Sequence, residues 1–316
     1  MSSKLLVFCL VASAIFTQGC THMKSTETQE VRNSASVNTF ENTLSQALQQ
    51  IDLSHKMIFN EIRPGKFQMG NAKVETTITE PFEMMATEVT QLQWSSIKIA
   101  LGEKNPRKIN PSNFKTGKDS QKITIDGIDV QMKPNHPVEM VSHDDVTAYI
   151  AGLNKLSGTG DQKVQLMLEK LIPGHKKGDI YDLPTEAQWE FTMRDRGDAD
   201  KKYFDQDTEA QSAEYGWHYE NSGNETHAVA QLKPRIIDGK PFYDLEGNVW
   251  EWNKDWYNVT LGGGVNPQGP NMGSYRVVRG GGWGSAAQNL ASSNRGSGGP
   301  GNSSDVVGFR LVRTRP

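Results

Sequence analysis

Arg276-Val-Val-Arg-Gly-Gly-Gly-Trp283 and Gly308-Phe-Arg-Leu-Val-Arg313 bracket the stretch that decides the reading of this chain. Both segments read as framework: Val and Arg together, packed Gly, a Trp, then a second alternating run of the kind that builds strands. Residues 284–307 between them are nearly all Gly, Ser, Ala, Asn, Asp and Val. Few of those side chains are large enough to build a core. A stiff frame around a small-residue insert predicts a surface whose shape is set by backbone and whose side chains can be exchanged.

Outward from that stretch, the totals set bounds. A length of 316 residues suits one large domain or two small ones. Hydrophobic content is 35%, below the globular share of about 45–50%. With 30 Gly and 7 Trp, the mix fits a loop-rich fold with aromatic anchors better than a helical bundle. The net charge of -3 gives no support for a nucleic-acid partner, which would need a concentrated basic face. The 2 cysteines, Cys9 and Cys20, both lie in the leader. Residues 21–316 therefore offer no disulfide, thiol nucleophile or thiolate metal ligand.

The first 20 residues read as an export signal. Lys4 is followed by the apolar run Leu5 to Phe16, and about a dozen residues are too few where roughly 20 span a bilayer. Thr17-Gln-Gly-Cys20 resembles a bacterial lipobox, which makes Cys20 the expected lipidation site and the chain a lipid-anchored protein of the bacterial cell envelope, expected at the outer membrane. Thr17 departs from the Leu-like residue usual there. Residues 21–56 read as a flexible tether with a short helix carrying Phe40, Leu44, Leu48 and Ile51 on one face. Globular sequence then runs from 57 to 316 with no visible linker.

Local signals within that region are specific. Met57-Ile-Phe-Asn-Glu-Ile62 and Lys66-Phe-Gln-Met69 predict strands around a Pro64-Gly65 turn. Helices are expected from Thr90, from Ser142 through Leu156 and from Thr185, each opening on a capping residue. Asn105 to Lys118 reads as loop. Ile123 to Val130 reads as a hairpin turning at Asp126-Gly127. Past Tyr203 the helical pattern fades into Gly, Asn and aromatic residues.

Taken together, these motifs resemble the formylglycine-generating enzyme, or sulfatase-modifying factor, superfamily. The resemblance rests on Phe67-Gln-Met-Gly70, Ala86-Thr-Glu-Val-Thr90, His136-Pro-Val-Glu139, Tyr181-Asp-Leu-Pro-Thr-Glu-Ala-Gln-Trp-Glu190, Tyr243-Asp-Leu-Glu-Gly-Asn-Val-Trp-Glu-Trp252, Arg276 to Trp283 and Gly308-Phe-Arg310, in family order. It implies a single α+β domain of the C-type-lectin-like kind with little regular secondary structure. It also implies a structural calcium ion held by the carbonyls of Gly247 and Val249 and the carboxylate of Glu251, with Asn221 and Ser222 as contributors to a second site. The family's oxidase chemistry uses two copper-binding cysteines in the insert. Ala287 and Ser292 stand at those places here, and neither can ligate a soft metal, so copper and catalytic residues are not expected. The competing expectation is a sulfatase-modifying-factor-like oxidoreductase with a non-standard active site.

The insert also resembles the variable lipoproteins diversified by retroelements, which use the same fold and end in a similar Gly-Phe-Arg segment. Asn-type codons randomised at adenines yield Gly, Ser, Ala, Asp, Val or Asn but never Lys, Glu, Gln, Met or Trp. The clusters 284–286, 296–298 and 303–306 contain none of those five. The same composition would suit a plain Gly/Ser surface loop. The expected ligand-binding positions are Gly284, Ser285, Ala286, Ser292, Ser293, Gly296, Ser297, Gly298, Ser303, Ser304, Asp305 and Val306, gathered on one open face. Their expected partner is an extracytoplasmic protein or surface ligand.

Overall fold

The computed structural model describes residues 55–125, 128–197 and 212–316. The export signal, Cys20, the tether and its helix lie outside the described residues. None of the described helices is long and apolar enough to cross a membrane.

Capping chemistry places the main helices where the sequence predicts them. Gln91–Ala100, His143–Gly158 and Glu186–Met193 start after Thr90, Ser142 and Thr185. Each capping hydroxyl accepts the backbone N–H three residues on, and Gln93, Asp145 and Gln188 bond back to the cap's own N–H. Such reciprocal caps stabilise a helix start by about 1 kcal/mol. Two further helices were not expected. Gln162–Leu171 is capped by Asp161. Pro106–Ile109 interrupts the predicted loop, with Asn105 bonded to Arg107 N and Pro106 in the first turn, where its missing N–H costs nothing.

The expected hairpin is present. Strand Gln121–Ile125 pairs with Ile128–Met132, with Ile125 opposite Ile128. One four-stranded sheet runs Phe59–Ile62, Phe82–Met85, Val312–Thr314, Ile180–Asp182, all neighbours antiparallel. The C-terminal strand is thus internal to its sheet.

The second four-stranded sheet positions the insert. Trp250–Trp256 pairs antiparallel with Arg276–Arg279 on one side and parallel with Val307–Gly308 on the other. Both ends of the insert are therefore bound to one strand. Gly296–Gly298, from the insert itself, adds to the free side of Arg276–Arg279. Between the two sheets, Phe309 enters the core edge-on to Trp94 and Tyr149, whose rings stack at 4.7 Å. A second core gathers Trp189, Phe191, Phe242 and Leu245. Both cores bury the aromatic anchors that the low apolar content made necessary.

Candidate binding face built on Trp250

Buried arginines decide how the insert lies. Arg279 is fully buried, with Nη1 donating to the carbonyls of Ser292 and Asn294, each at 2.7 Å. Its Nε reaches Glu186 at 2.9 Å, and Nη2 bonds Glu190. Arg295 closes on the same Glu186 carboxylate. These bonds draw the middle of the insert inward. Ser292 and Ser293, expected on the open face, are 0% and 8% exposed. Ser293 Oγ donates to Asn71 Oδ1 at 2.7 Å. Both serines are framework, and the expected face is corrected accordingly.

The remaining positions reach the surface. Gly284, Ser297 and Ser303 are exposed, while Ser285, Ala286, Gly296, Gly298, Ser304, Asp305 and Val306 are half-buried. The half-buried Trp250 indole lies among them. Its Nε1 donates to Ser285 Oγ at 3.2 Å, and its N donates to Val306 O at 2.7 Å. A Cβ placed on Gly296 would stand 3.2 Å from the Trp250 ring, and one on Gly284 would stand 3.9 Å from Val306 Cγ1. The structure thus brings the first cluster, Gly296 and Val306 together.

Room for larger side chains is uneven. A Cβ on Gly298 would lie 2.5 Å from a Trp252 ring carbon, and one on Gly296 would lie 2.7 Å from Val278 Cγ2. Ser285 spends its hydroxyl on Trp250 Nε1 and Gly282 N. The freely exchangeable positions reduce to Gly284, Ala286, Ser297, Ser303, Ser304 and Val306.

Sequence reasoning missed a second wall. Glu139 is fully buried and accepts Asn113 N and Phe114 N, each at 2.9 Å. These bonds hold Phe114 edge-on to Trp283 at 5.3 Å and place Asn113 Nδ2 on Asp305 Oδ2 at 3.2 Å. Trp283 Nε1 in turn donates to Asp305 O at 2.9 Å. Burial pushes the Glu139 carboxyl up to about 7, against the two amide bonds. A lone Phe in a Pro- and Lys-rich loop was the available signal.

Of the residues expected to hold calcium, Glu251 is committed to other partners. Glu251 is fully buried, and both its oxygens are taken: Oε2 by Arg310 Nε at 2.7 Å and Trp189 Nε1 at 2.9 Å, Oε1 by Arg310 Nη2 at 2.7 Å. A guanidinium occupies the charge that a hard cation would need. The N–H groups of Gly247 and Val249, whose carbonyls were the other expected ligands, donate to Gly280 O and Glu88 Oε1. Asn221 accepts from His218 N, and Ser222 Oγ donates to Trp283 O; both close a turn under the insert. Among the described residues no group of three or more His, Cys, Asp or Glu is placed to hold a metal ion. Ala287 and Ser292, at the copper-cysteine positions, are buried and carry no soft ligand.

Comparison with known proteins agrees with this fold. A family model described as sulfatase-modifying factor enzyme 1-like domain matches residues 45–315. The formylglycine-generating enzyme of Streptomyces coelicolor is 30% identical over 198 residues, covering 58% of this chain and 54% of the relative. The chain thus spans about half the length of that relative. Among solved structures, Treponema denticola variable protein 1 superimposes with a TM-score of 0.61 and 27% identity, over 82% of this chain and 95% of that one. PvdO from Pseudomonas aeruginosa shares the fold, with a TM-score of 0.59 and 23% identity over 81% of this chain and 94% of its own.

Proposed function

We propose that this chain, which belongs to the sulfatase-modifying factor enzyme 1-like domain family, is a binding lipoprotein that displays an exchangeable recognition face outside the cytoplasm. The observation that carries the reading is the contrast within the insert. Its backbone is fixed by Arg279, Trp250 and Trp283, while Gly284, Ser297 and Ser303 project into solvent. Side chains exchanged there alter the surface without disturbing the core. Lipid on Cys20 would hold the domain at the envelope, and an extracytoplasmic protein or surface ligand would meet the face. Small side chains make weak anchors, so Trp250, Trp283 and Phe114 supply the apolar contact in this copy. Likeness to a protein named variable protein 1 supports the diversified form of the reading.

The gene tests it. Codons for residues 284–286 and 303–306 are expected to end in pyrimidines and derive from Asn codons by adenine changes, with a near-copy of the segment close by. Purine-ending codons without such a copy would sink the diversified reading. For cysteine oxidation of the kind the family resemblance implies, residues 21–316 carry no thiol to bind copper. Aldehyde formation on a cysteine-containing sulfatase peptide with copper and oxygen would reverse that judgement.

A further inference from the structure

Positive charge gathers at one end of helix Gln91–Ala100. Residues 98–108 carry Lys98, Lys104, Arg107 and Lys108 against one acid, Glu103, in a chain whose net charge is -3. Trp94 Nε1 donates to Lys108 O at 3.3 Å and Ser95 Oγ to Ile109 O at 2.9 Å, which folds Pro106–Ile109 back onto the helix. Lys98 Nζ lies 5.7 Å from the centre of the Trp94 ring. Glu103 sits among these cations. The Asn105 N–H holds its carboxyl below the ordinary value, and the charges of Lys98 and Lys108 add to that.

Little of this charge is neutralised within the protein. Glu103 Oε1 accepts Lys104 N at 3.0 Å and Asn105 N at 2.9 Å, and so serves the turn between the two helices. Lys98, Arg107 and Lys108 have no ion-pair partner among the described residues. Lys104, Arg107 and Lys108 are exposed, and Lys98 is half-buried. With none of the four buried, no concave site encloses a small anion such as free phosphate. An open cluster of like charges is matched instead by an extended anionic surface.

The chain enters the domain at the same helix. His55 O accepts Gln93 Nε2 at 3.4 Å, and Lys98 follows Gln93 by about 8 Å along the helix axis. A bilayer that holds Cys20 is thus joined to the domain beside its basic end. We propose that Lys98, Lys104, Arg107 and Lys108 dock this end of the domain on the anionic phospholipid headgroups of that bilayer. The choice of occupant rests on the reading of Cys20 as lipidated; the contact itself is electrostatic and needs no acyl chain. Each such charge strengthens binding to an anionic leaflet about fivefold. A basic patch beside a lipid chain also supplies the second of the two signals that stable anchoring takes.

The test places the full chain, purified from membranes, on vesicles of phosphatidylcholine alone or of phosphatidylcholine mixed with phosphatidylglycerol. Flotation reads attachment, and amide hydrogen exchange at residues 98–108 reads docking. At about 0.1 M salt the mixed vesicles are expected to slow that exchange relative to the neutral ones. At about 1 M salt, where charges reach only about 3 Å, the difference is expected to vanish. Arg107→Gln with Lys108→Gln is expected to lower the docking equilibrium read from that protection about 25-fold, at about fivefold per charge. Both side chains are exposed, and the salt series tests the same contact should the variant not fold. Flotation with the mixed vesicles alone would support docking and remove the acyl anchor at Cys20. Flotation with both kinds and equal exchange at 98–108 would overturn docking and leave the anchor standing. Protection that survives about 1 M salt, or that falls only outside residues 98–108, would also overturn the proposal.

Discussion

Arg310 grips Glu251 through two parallel hydrogen bonds, Nε to Oε2 and Nη2 to Oε1, each 2.7 Å, where neither side chain reaches solvent. Two more buried acids adjoin the pair. Glu88 is pushed well above its ordinary value by burial and by the charges of Asp244 and Glu251; Asp244 is pushed up to about 6, chiefly by burial. Arg310 is the cation that this group shares. Arg310→Met leaves the carboxylates uncompensated and is expected to cost about 3–5 kcal/mol. Urea unfolding of the two proteins measures it. A loss below about 1 kcal/mol would mean the pair behaves like a surface salt bridge and the burial argument is wrong.

Two glycines of the insert separate frame from face. A Cβ at Gly298 would press on the Trp252 ring at 2.5 Å, and Trp252 cannot yield because its Nε1 is bonded to Val141 O at 3.0 Å in the core. Gly298→Ala is expected to cost about 1–3 kcal/mol through overpacking. At Gly284 the nearest atom is at van der Waals distance, 3.9 Å. Gly284→Ala is expected to stay within about 0.5 kcal/mol. Equal destabilisation of both variants in thermal melts would show that the insert is rigid throughout.

The parts of this fold that were legible in sequence were those with local causes. Thr90, Ser142 and Thr185 announce helices because each bonds its own first turn. The pairing of Gln121–Ile125 with Ile128–Met132 follows the alternation of its strands, while the expected turn at Asp126-Gly127 lies outside the described residues. The solvent exposure of Gly284, Ser297 and Ser303 was legible in outline. The errors came from partners distant in the chain. Ser292 and Ser293 look like their exposed neighbours, and it is Arg279, thirteen residues from Ser292, together with Asn71 on Ser293, that draws this segment in. The Glu251 carboxylate is gripped by Arg310, 59 residues on, a partner that its local segment does not announce. Likewise Glu139 fixes Asn113 and Phe114 from 26 and 25 residues away, a relation that no local pattern encodes.

Arg279 is also a test of what keeps the middle of the insert down. Lysine carries the same charge but lacks the planar fork that reaches Ser292 O, Asn294 O, Glu186 and Glu190 at once. Arg279→Lys is expected to lower stability by about 2–4 kcal/mol, as for other broken buried charge networks. It should also raise amide hydrogen exchange at residues 291–295 more than in helix His143–Gly158. If exchange rises evenly over the chain, the guanidinium stabilises the fold as a whole and does not selectively anchor this segment.

Glu139 makes the second wall of the face sensitive to pH. Its folded-state value, about 7, lies above the ordinary 4.5 because burial disfavours the ionised form and the Asp305 charge adds to the effect. For a carboxyl raised in this way the folded chain holds the proton longer than the unfolded chain. Its contribution to stability therefore falls as pH rises from about 4.5 to about 7, then levels. Gln at 139 cannot titrate. The stability of wild type relative to Glu139→Gln is thus expected to decline by about 3 kcal/mol at most across that interval and to stay flat above it. Urea unfolding at pH 5, 6, 7 and 8 gives the difference directly. Asp305 is the only charged side chain among the causes of the shift, so Asp305→Asn is expected to move the decline toward lower pH. A difference that does not change with pH would show that the two amides offset burial completely, and that the Asn113–Phe114 wall is held equally at every pH.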